Sequence, residues 1–545
     1  MGGHELATRR VGEAVVEVLQ SAGVDTIFGI PGIHTLPLYD ALAGTPSIRH
    51  ILTRHEQGAA FAADGYARVT GRPGVLTTTT GPGSFNTLAA LAEAWSDSSP
   101  VVLLAGQIDA ALDGLGRGVL HETPDQGRSF EAITASVGRP RTPDAIPAAV
   151  ADALCRSMKG RPRPAYVELP TDILGAPCTS EVPAAEIPGR VPPDPDSIVA
   201  AARLLDGARR VVVMPGAGVH RAGASRELRA LAIRLGAPVA TAVTGVGSIP
   251  ADDDWCAGTV VPGRPEWRAL FEAADAVLVV GSRLDDVGTA RWTLPLPNLV
   301  HIDIDPAVID RAYPAKVGVV GDARLALQGL LDELGSDRGA RAAQPGWGVE
   351  RAASVREAVT AGVAPGQRAV RDAFLAARAA MPRDAILTHD AARVNSWSGY
   401  FWPVYEPDGS IFPWGSATLG FALGTANGAA VAAPGRRVVA TCGDGGFLFT
   451  AMELATTVAH GLDVTLLIHD DGAFGSIADY QMRYHGRAYA TDLHNPDLVA
   501  FVRSFGVPAK RVSEIGELPA AMARATSGAG PSAVILNAPL GQPWS

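Results

Sequence analysis

The sequence predicts an α/β protein built from three consecutive doubly wound parallel-sheet domains. Short apolar runs rich in β-branched residues alternate with longer Ala- and Leu-rich segments of helical pattern, which is typical of parallel sheets covered by helices. The alternation occurs in three blocks separated by stretches rich in Pro, Gly or charge. The chain has 545 residues, more than one hydrophobic core usually organises, so several domains are expected.

The three blocks set the expected domain boundaries. The first covers residues 1–172 and ends with the strand PAYVELP, before the Pro-rich linker VPAAEIPGRVPPDPDS. The second covers residues 190–335 and contains the strand patterns RRVVVMP, DAVLVVG and NLVHIDID. A second linker is expected near residues 336–365. The third domain covers residues 366–545, with strands at DAILTHD, RRVVATCG, DVTLLIHD and PSAVILN.

Composition and charge narrow the class of partner. Hydrophobic residues make up 47% and charged residues 19%, a balance that supports folded cores throughout. The net charge is -10 and no Lys- or Arg-rich run stands out, so neither nucleic acid nor a membrane surface is predicted as a partner. No apolar stretch approaches the ~20 residues of a membrane span, and a cytoplasmic protein with a small-molecule substrate is expected. Four cysteines without C-x-x-C spacing argue against disulfides and zinc.

A strand, a glycine turn and a helix follow one another at RRVVATCGDGGFLFTAMEL. Gly443, Gly445 and Gly446 let an anion approach the backbone, and the free N–H groups and dipole of the helix N-terminus favour a diphosphate there. The carboxylate of Asp444 would repel a diphosphate unless a divalent cation lay between them. The same turn therefore predicts Mg²⁺.

A second acidic turn follows the next strand. Asp470 and Asp471 end the run VTLLIHDDG, at the carboxyl edge where open parallel sheets bind ligands. Asp-Gly is a common turn dipeptide, and either turn alone would be interpreted as an ordinary turn. Because Asp444 and Asp471 would end neighbouring strands, the two turns together favour a metal site.

The two turns resemble the cofactor motif of thiamine-diphosphate enzymes, in which GDG is followed after 24 residues by an Asn-Asn or Asn-Asp pair and Gly. This chain has Asp470 at the first position of the pair, where the family usually has Asn. The resemblance implies that Asp444, Asp471 and the backbone carbonyl of Ala473 hold Mg²⁺. It also implies that the cofactor contacts the residues of both turns, namely Gly443, Asp444, Gly445, Gly446, Asp471, Ala473, Phe474 and Gly475.

The resemblance covers nearly the whole chain, in the domain order of acetolactate synthases and related 2-oxo-acid decarboxylases. It rests on the segments FGIPGIHTLPLYDAL, RHEQGAAFAADGYAR and TTGPGSFNTLAALAEAWSDSSPVVLLAGQ, on GTV at 258–260 and on HIDID at 301–305. It implies a pyrimidine-binding, a central and a diphosphate-binding domain. The expected activity is Mg²⁺-dependent decarboxylation of a 2-oxo acid with possible carboligation.

Glu56 matches the family's catalytic carboxyl group. By resemblance it hydrogen-bonds the pyrimidine nitrogen of the cofactor and promotes removal of the thiazolium proton. The alternative is a carboxylate that only favours the helix dipole. Leu419 matches the apolar wedge under the bent cofactor, with a core leucine as the alternative. The carbonyl of Ala417 would accept a hydrogen bond from the cofactor's amino group, and Gly81 lies in a further cofactor-binding segment.

The family shares its cofactor between two chains, since the residues that match Glu56 and Asp444 lie in different domains. A homodimer is therefore the expected minimum active unit, and a tetramer is plausible. A protein that binds the cofactor without catalysis is disfavoured by the presence of Glu56.

Residues around the expected substrate depart from those of acetolactate synthases. Leu120 and His121 replace the Phe-Gln of those enzymes, and Asp479 and Tyr480 stand on a lid segment where those enzymes have other residues. Gln107 completes the expected substrate wall. These departures argue against strict acetolactate specificity.

His34 and His121 are candidate proton-transfer groups, although a lone histidine is more often structural. The segments IPGIHT, RHEQGA and LHE look closest to relatives that decarboxylate larger 2-oxo acids, so a 5-guanidino-2-oxopentanoate-type decarboxylase without ligation is one alternative. Asp479, Glu122 or Asp125 would then meet the cationic tail. A CoA-ester lyase similar to oxalyl-CoA decarboxylase or 2-hydroxyacyl-CoA lyase is the other alternative.

A nucleotide in the central domain is a separate question, because some members of the family carry FAD or ADP there. The segment MPGAGVHRAG offers Gly216 and Gly218 after a strand, but its spacing departs from the dinucleotide fingerprint. FAD or ADP in the central domain is therefore possible but not expected to be obligatory.

Overall fold

Three six-stranded parallel sheets follow one another along the chain, and helices pack on each of them. The computed structural model describes residues 9–335 and 346–544. The predicted fold class, three consecutive doubly wound α/β domains, is confirmed. The domain boundaries at 172, 190, 335 and 366 stay predictions.

The first sheet lies within residues 26–170. Its strands are β1 (Thr26–Gly29), β2 (Arg49–Leu52), β3 (Gly74–Thr78), β4 (Val101–Gln107), β5 (Val137–Gly138) and β6 (Ala165–Pro170). Its helices are α1 (Val11–Ser21), α2 (Leu36–Ala43), α3 (Glu56–Thr70), α4 (Pro82–Phe85), α5 (Leu88–Ser96), α6 (Ala145–Met158) and α7 (Thr171–Leu174). The strand order is β2-β1-β3-β4-β6-β5, so the direction of winding reverses between β1 and β3. A reversal of this kind opens a crevice at the carboxyl ends of the strands.

The second sheet lies within residues 211–320. Its strands are β7 (Val211–Pro215), β8 (Val239–Thr241), β9 (Cys256–Thr259), β10 (Ala276–Val280), β11 (Val300–Asp303) and β12 (Val317–Val320). Its helices are α8 (Pro195–Gly207), α9 (Ala217–Arg221), α10 (Ser225–Leu235), α11 (Pro265–Glu272) and α12 (Ala323–Leu334). The order is β12-β11-β10-β7-β8-β9, with the reversal between β10 and β7.

The third sheet lies within residues 386–536. The helices from here to the C-terminus are α13 (Val349–Ala361), α14 (Arg368–Ala379), α15 (Asn395–Phe401), α16 (Phe421–Ala432), α17 (Asp444–Thr450), α18 (Leu454–Ala459), α19 (Gly475–His485), α20 (Leu498–Ser504) and α21 (Leu518–Ser527). The strands are β13 (Ile386–His389), β14 (Ser410–Ile411), β15 (Val438–Gly443), β16 (Val464–His469), β17 (Ala509–Val512) and β18 (Ser532–Leu536). The order is β14-β13-β15-β16-β18-β17, with the reversal between β13 and β15.

Helix α13 lies inside the segment predicted as the second linker. Residues 336–345 of that segment lie outside the described residues, but residues 349–361 are helical and contact β9 of the second sheet. Ala352 and Val355 are buried in one cluster with Trp267 and Trp347. The polar composition of the segment concealed this short apolar face, and the linker near residues 336–365 stays a prediction.

Helices α3 and α16 pack against each other and join the cores of the first and third domains. The rings of Phe61 and Phe421 meet edge to face, with centroids 5.4 Å apart. A Cβ atom added at Gly428 would lie 1.8 Å from the carbonyl oxygen of Ala62. Glycine is therefore required at this point for the two helices to approach.

Gly428→Ala is expected to destabilise the protein, because the added methyl group can only be accommodated by separating α3 from α16. Overpacking of this kind costs about 3 kcal/mol and should lower the midpoint of thermal unfolding by several degrees. Gly516→Ala is the matched control, since its methyl group would meet nothing within 4 Å. Equal midpoints for the two variants would contradict the close packing described here.

No helix in the described parts of the chain combines the length and the apolarity needed to cross a membrane. The four cysteines, Cys155, Cys178, Cys256 and Cys442, are free thiols. Burial raises the pKa of Cys256 to about 11 and also raises that of Cys442. These two thiols are therefore weak nucleophiles at neutral pH.

Candidate active site

The two acidic turns lie side by side at the carboxyl edge of the third sheet. Strands β15 and β16 are parallel neighbours, and Gly443 is paired in register with His469. The segments that leave these strands therefore start at the same level, next to the point where the strand order reverses. This is the edge at which open parallel sheets bind ligands.

Asp444 is the first residue of α17 and is fully buried. Its Oδ1 accepts a hydrogen bond from the N–H of Gly445 at 2.7 Å. Its Oδ2 accepts from the N–H of Gly472 at 2.8 Å and from the amide of Asn495 at 2.6 Å. Burial raises the pKa of Asp444, and the charge of Asp471 raises it further. The carboxylate thus joins the two turns directly.

The side chain of Asp471 is 19% exposed, and its Oδ2 accepts a hydrogen bond from Nη1 of Arg393 at 2.7 Å. Burial raises the pKa of Asp471, while the Arg393 charge lowers it. Because the charge of Asp471 disfavours ionisation of the buried Asp444, this pair of carboxylates is chemically suited to a divalent cation. No group of three or more His, Cys, Asp or Glu side chains within 9–335 and 346–544 has metal-binding geometry. A cation here would need further oxygens, such as the carbonyl of Ala473 and those of a diphosphate.

Asp470, the departure from the family motif, has its carboxylate engaged elsewhere. Its Oδ1 accepts from Asn495 at 3.1 Å, and its Oδ2 accepts from Asn537 at 3.0 Å and lies 3.5 Å from Arg511. The extra negative charge is thus balanced by Arg511 and by two amides, of which Asn495 also donates to Asp444.

The glycines of both turns are needed for close packing as well as for access to the backbone. A Cβ at Gly445 would lie 2.6 Å from the ring of Phe474, and one at Gly475 would lie 2.6 Å from Oδ2 of Asp471. A Cβ at Gly446 would lie 2.6 Å from Oδ2 of Asp390. Residues with side chains would force the turns apart.

Asp390, which the sequence did not single out, lies between the two segments that leave β13 and β15. Its Oδ2 accepts the N–H of Gly420 at 3.0 Å, and burial raises its pKa to about 7. It follows β13 as Asp444 follows β15, and that placement after a buried strand was the available sequence signal. Arg393 and Asn495 were also missed, because their partners are distant in the sequence.

His389, beside Asp390, is buried among hydroxyl groups and is uncharged at neutral pH. Its Nδ1 lies 3.0 Å from the hydroxyl of Thr441 and 3.2 Å from that of Ser398, and burial lowers its pKa to about 3. The unfolded chain therefore binds a proton at His389 more readily than the folded chain does. The neutral ring of His389 makes its full contribution to the free energy of unfolding above pH 6.5, the ordinary pKa of histidine. That contribution is lost as the pH falls from 6.5 towards the folded-state pKa of about 3.

His389→Gln is expected to flatten the loss of stability between pH 7 and pH 5. At pH 5 the unfolded wild type binds a proton at His389, which lowers its free energy of unfolding by about 2 kcal/mol relative to pH 7. The variant has no histidine there and does not lose this amount. Thermal unfolding of both proteins at the two pH values measures the difference. His485→Gln, on the surface, serves as the control and should keep the wild-type pH dependence. A variant with an unchanged pH dependence would show that His389 is not the group responsible.

Glu56 is the first residue of α3, which is capped at its N-terminus by His55. The Oε2 of Glu56 accepts a hydrogen bond from Asn86 at 2.9 Å, and its side chain is partly exposed. Glu453 of the third domain holds the segment that leads into it, because its Oε1 accepts the N–H groups of Arg54 and His55 at 3.0 and 2.9 Å. Sequence reasoning missed Glu453 and Asn86.

The two candidate histidines are neighbours at the reversal point of the first sheet. The ring centroids of His34 and His121 are 5.3 Å apart, and Nδ1 of His34 lies 3.0 Å from the hydroxyl of Thr79. Burial lowers the pKa of His34, and the charge of His121 lowers it further. Gly81 has a φ of +62°, and a Cβ there would lie 2.6 Å from the carbonyl oxygen of His121. Gln107 lies in the same area, where its Oε1 accepts the hydroxyl of Thr80 at 3.1 Å.

The remaining predicted residues lie on loops and on α19. Leu120 is 62% and Tyr480 56% exposed. Ala417 is exposed in a loop that Glu93 of the first domain holds, through the N–H groups of neighbouring residues. Leu419 is partly buried. Asp479 is bound by Arg393 and by Gln542.

The carboxylates considered for a cationic substrate tail already have protein partners. Asp479 pairs with Arg393 at 2.8 Å. Glu122 accepts the N–H groups of Gly116, Gly118 and Val119. Asp125 pairs with Arg139 at 3.0 Å.

Among the described residues, no hydrogen bond joins the side chain of Asp444 to that of Glu56. The described partners of Asp444 all belong to the third domain, and Glu56 bonds through its side chain only to Asn86 among the described residues. The histidine pair also belongs to the first domain. A complete site would require both sets to face the same cofactor.

A cavity of about 410 Å³ lies between the first and second domains, beside the reversal point of the second sheet. Arg161, Arg221 and Arg283 line it, together with Asp97 and Asp303. Gly216 and Gly218 permit close contact between the segments after β7 and β10, since a Cβ at Gly218 would lie 2.5 Å from the Cα of Gly281. The expectation that FAD or ADP in the central domain is possible but not obligatory stays a prediction.

Three parallel-sheet domains, with paired acidic turns on the third and a partly exposed glutamate on the first, are the arrangement expected of a thiamine-diphosphate enzyme. Family profiles agree in each domain. The N-terminal TPP-binding domain of thiamine pyrophosphate enzymes matches residues 9–129, the central domain 198–330 and the C-terminal TPP-binding domain 390–536. The chain belongs to this family and is a thiamine-diphosphate-dependent enzyme.

Individual relatives extend over nearly the whole chain. The probable 2-ketoarginine decarboxylase AruI of Pseudomonas aeruginosa is 39% identical over 94% of this chain and 91% of its own length. A probable acetolactate synthase large subunit of Methanocaldococcus jannaschii is 34% identical over 93% of this chain and 88% of its own. An acetolactate synthase of Mycobacterium bovis is 33% identical over 91% and 82%.

Proposed function

We propose that the protein catalyses Mg²⁺- and thiamine-diphosphate-dependent decarboxylation of a 2-oxo acid, with possible carboligation. The observation that carries the proposal is the hydrogen bond from Gly472 to Asp444, which joins two acidic turns at the ends of neighbouring strands. A cation between Asp444 and Asp471 would relieve the repulsion between these two carboxylates, of which Asp444 is fully buried. The kinds of relatives found also support a 2-oxo acid as substrate.

In this proposal the third domain holds the cation and the diphosphate. The carboxylates of Asp444 and Asp471 and the carbonyl of Ala473 bind Mg²⁺. The N-terminus of α17 and the start of α19 face the diphosphate with backbone N–H groups. The cofactor-binding residues are those of the two turns, Gly443, Gly445, Gly446, Phe474 and Gly475.

Thiamine diphosphate supplies an electron sink for the pair that remains when CO₂ leaves a 2-oxo acid. Glu56 holds a proton at the pyrimidine nitrogen of the cofactor. Ala417 would accept a hydrogen bond from the cofactor's amino group through its carbonyl, Leu419 would give the cofactor an apolar contact, and Gly81 would lie in its binding site. Asn86 keeps the Glu56 carboxyl group oriented.

We propose His34 and His121 as the groups that transfer protons to and from the substrate. The lowered pKa of His34 keeps its ring neutral at physiological pH, so it can accept a proton there. Leu120, Gln107 and Tyr480 form the substrate wall, and Asp479 lies at its edge.

We further propose that the site is completed by a second copy of the chain. Large apolar side chains are exposed beside both sets of candidate residues, a feature that marks an interaction surface. On the first domain these are Ile33, Leu36 and Leu120, and on α19 they are Ile477, Tyr480 and Tyr484. A homodimer is the minimum unit, and a tetramer is consistent with the same surfaces.

A 5-guanidino-2-oxopentanoate decarboxylase that performs no ligation is the second candidate. It is favoured by the relative described as a probable 2-ketoarginine decarboxylase. Leu120 and His121, in place of the Phe and Gln of acetolactate synthases, also argue against strict acetolactate specificity. A CoA-ester lyase would instead place its nucleotide in the arginine-lined cavity.

The test is a turnover screen with protein stripped of metal by a chelator and then reloaded. Pyruvate, branched 2-oxo acids and 5-guanidino-2-oxopentanoate are supplied with thiamine diphosphate and Mg²⁺, while CO₂ and the organic products are measured. CO₂ with an aldehyde product indicates a decarboxylase, and CO₂ with a hydroxy-oxo acid indicates a ligase. An apoprotein without Mg²⁺-dependent binding of thiamine diphosphate would overturn the proposal.

A further inference from the structure

Arg393 lies between the proposed metal site and helix α19, and its guanidinium group is bonded to both. Nη1 donates to Oδ2 of Asp471 at 2.7 Å. Nη2 donates to the carbonyl oxygen of Gly475 and to Oδ1 of Asp479, each at 2.8 Å, and Nε donates to Oδ2 of Asp479 at 3.2 Å. The side chain of Arg393 is only 17% exposed. We call these bonds the Arg393 clamp.

Helix α19 has little else to hold it. Gly475 is its only buried residue, and Ile477, Tyr480, Met482 and Tyr484 are each more than half exposed. A helix of this length without a buried apolar face is marginal by itself. Its other described side-chain bonds to the domain are the one from Gln542 to Asp479 at 3.1 Å and the pair that joins Gln481 to the backbone of Tyr489 at 2.7 and 3.2 Å. The paired contact between the guanidinium and Asp479 is charge-assisted and fixes orientation as well as distance.

The same guanidinium stabilises the carboxylate of Asp471, one of the two groups proposed to bind the cation. A carboxylate has about four lone-pair sites on its two oxygens, so Asp471 can bind a cation while it keeps Arg393. The positive charge of Arg393 also lies next to the turn that would face a diphosphate. Loading of the site and ordering of α19 therefore depend on one side chain.

We propose that Arg393 is a positioning residue that couples binding of thiamine diphosphate and Mg²⁺ to the ordering of helix α19. The inference rests on the proposed function of the two acidic turns. Coupling of this kind is reciprocal. If the cofactor favours the ordered state of α19 by a certain factor, the ordered state of α19 favours cofactor binding by the same factor. Asp479 influences cofactor affinity only through the clamp, although it is not one of the proposed cofactor ligands.

The experiment combines Arg393→Gln, Asp479→Asn and the double variant, all in the full chain. Hydrogen–deuterium exchange of residues 475–485 is followed in the apoprotein and with thiamine diphosphate and Mg²⁺. Calorimetric titration of thiamine diphosphate at saturating Mg²⁺ gives the affinity. Arg483→Gln, on the same helix but outside the clamp, is the control for loss of one arginine.

Both single variants should exchange faster along α19 in the apoprotein and bind thiamine diphosphate about 5- to 150-fold more weakly. The double variant should be no weaker than Arg393→Gln, and Arg483→Gln should match the wild type. Multiplicative effects in the double variant, or unchanged affinity in Asp479→Asn, would refute the coupling. If the wild type itself shows no Mg²⁺-dependent binding, the proposed function fails as well, so the two failures are distinguishable.

Discussion

Asp444→Asn is expected to remove Mg²⁺-dependent binding of thiamine diphosphate and, with it, all measurable decarboxylation. The substitution deletes one of two proposed carboxylate ligands. It also places amide N–H donors where the N–H of Gly472 and the amide of Asn495 now donate to Oδ2. Affinity should fall by more than about 100-fold, the upper range for losing a group that only supports a ligand. Calorimetric titration with thiamine diphosphate and Mg²⁺ measures the loss.

Asp470→Asn is the matched control for that experiment. The change is chemically identical and lies one residue from Asp471, but the carboxylate of Asp470 is not a proposed ligand and accepts from Asn537, Arg511 and Asn495, whose amide can still hold Asp444. Its affinity should stay within a few-fold of the wild type. Asp471→Asn leaves the buried hydrogen bonds of Asp444 intact, so it separates loss of a metal ligand from a folding defect. Its affinity for the cofactor should fall as that of Asp444→Asn does. Normal binding in both the Asp444 and Asp471 variants would refute the metal assignment.

Glu56→Gln is expected to bind thiamine diphosphate with near-normal affinity and to lose most turnover. Glutamine fills the same space and can still hydrogen-bond Asn86, but it cannot supply the proton that the proposed mechanism requires. General acid–base groups contribute about 10²- to 10⁴-fold in rate, and the loss of kcat should fall in that range. The rate of CO₂ release and the exchange rate of the cofactor's acidic proton, followed by NMR, both report it.

Glu17→Gln, an exposed position on α1, is the control and should retain wild-type rates. Undiminished turnover by Glu56→Gln would remove Glu56 from the mechanism. Loss of cofactor binding in Glu56→Gln would instead assign Glu56 a binding role.

The fold and the family were predictable because their signals are local. Buried parallel strands have apolar sequences whatever their neighbours in the sheet. The GDG turn can be recognised because a strand pattern precedes it and a helical pattern follows it. The order of the strands in each sheet was not predictable in the same way. It is set by which apolar edges meet in three dimensions, and a single sequence does not record that.

The candidate site was predictable in part for the same reason. Asp444, Asp471 and Glu56 stand in motifs, and their roles stay predictions until they are tested. Arg393, Glu453 and Asn495 have partners many residues away, and nothing in their immediate sequence distinguishes them from ordinary surface side chains. The buried residues of α13 were hidden by a polar composition that is equally typical of a linker.

Glu453 gives the proposed dimer a property that neither chain has alone. Glu453 is the last residue of the short helical segment that begins at Asp444. Its carboxylate accepts hydrogen bonds from the backbone N–H groups just before Glu56. If each chain contributes Asp444 to one centre and Glu56 to the other, Glu453 connects the segment after Asp444 at the first centre to the backbone before Glu56 at the second. The two centres of such a dimer would then be joined by direct protein contacts through the Glu453 side chains.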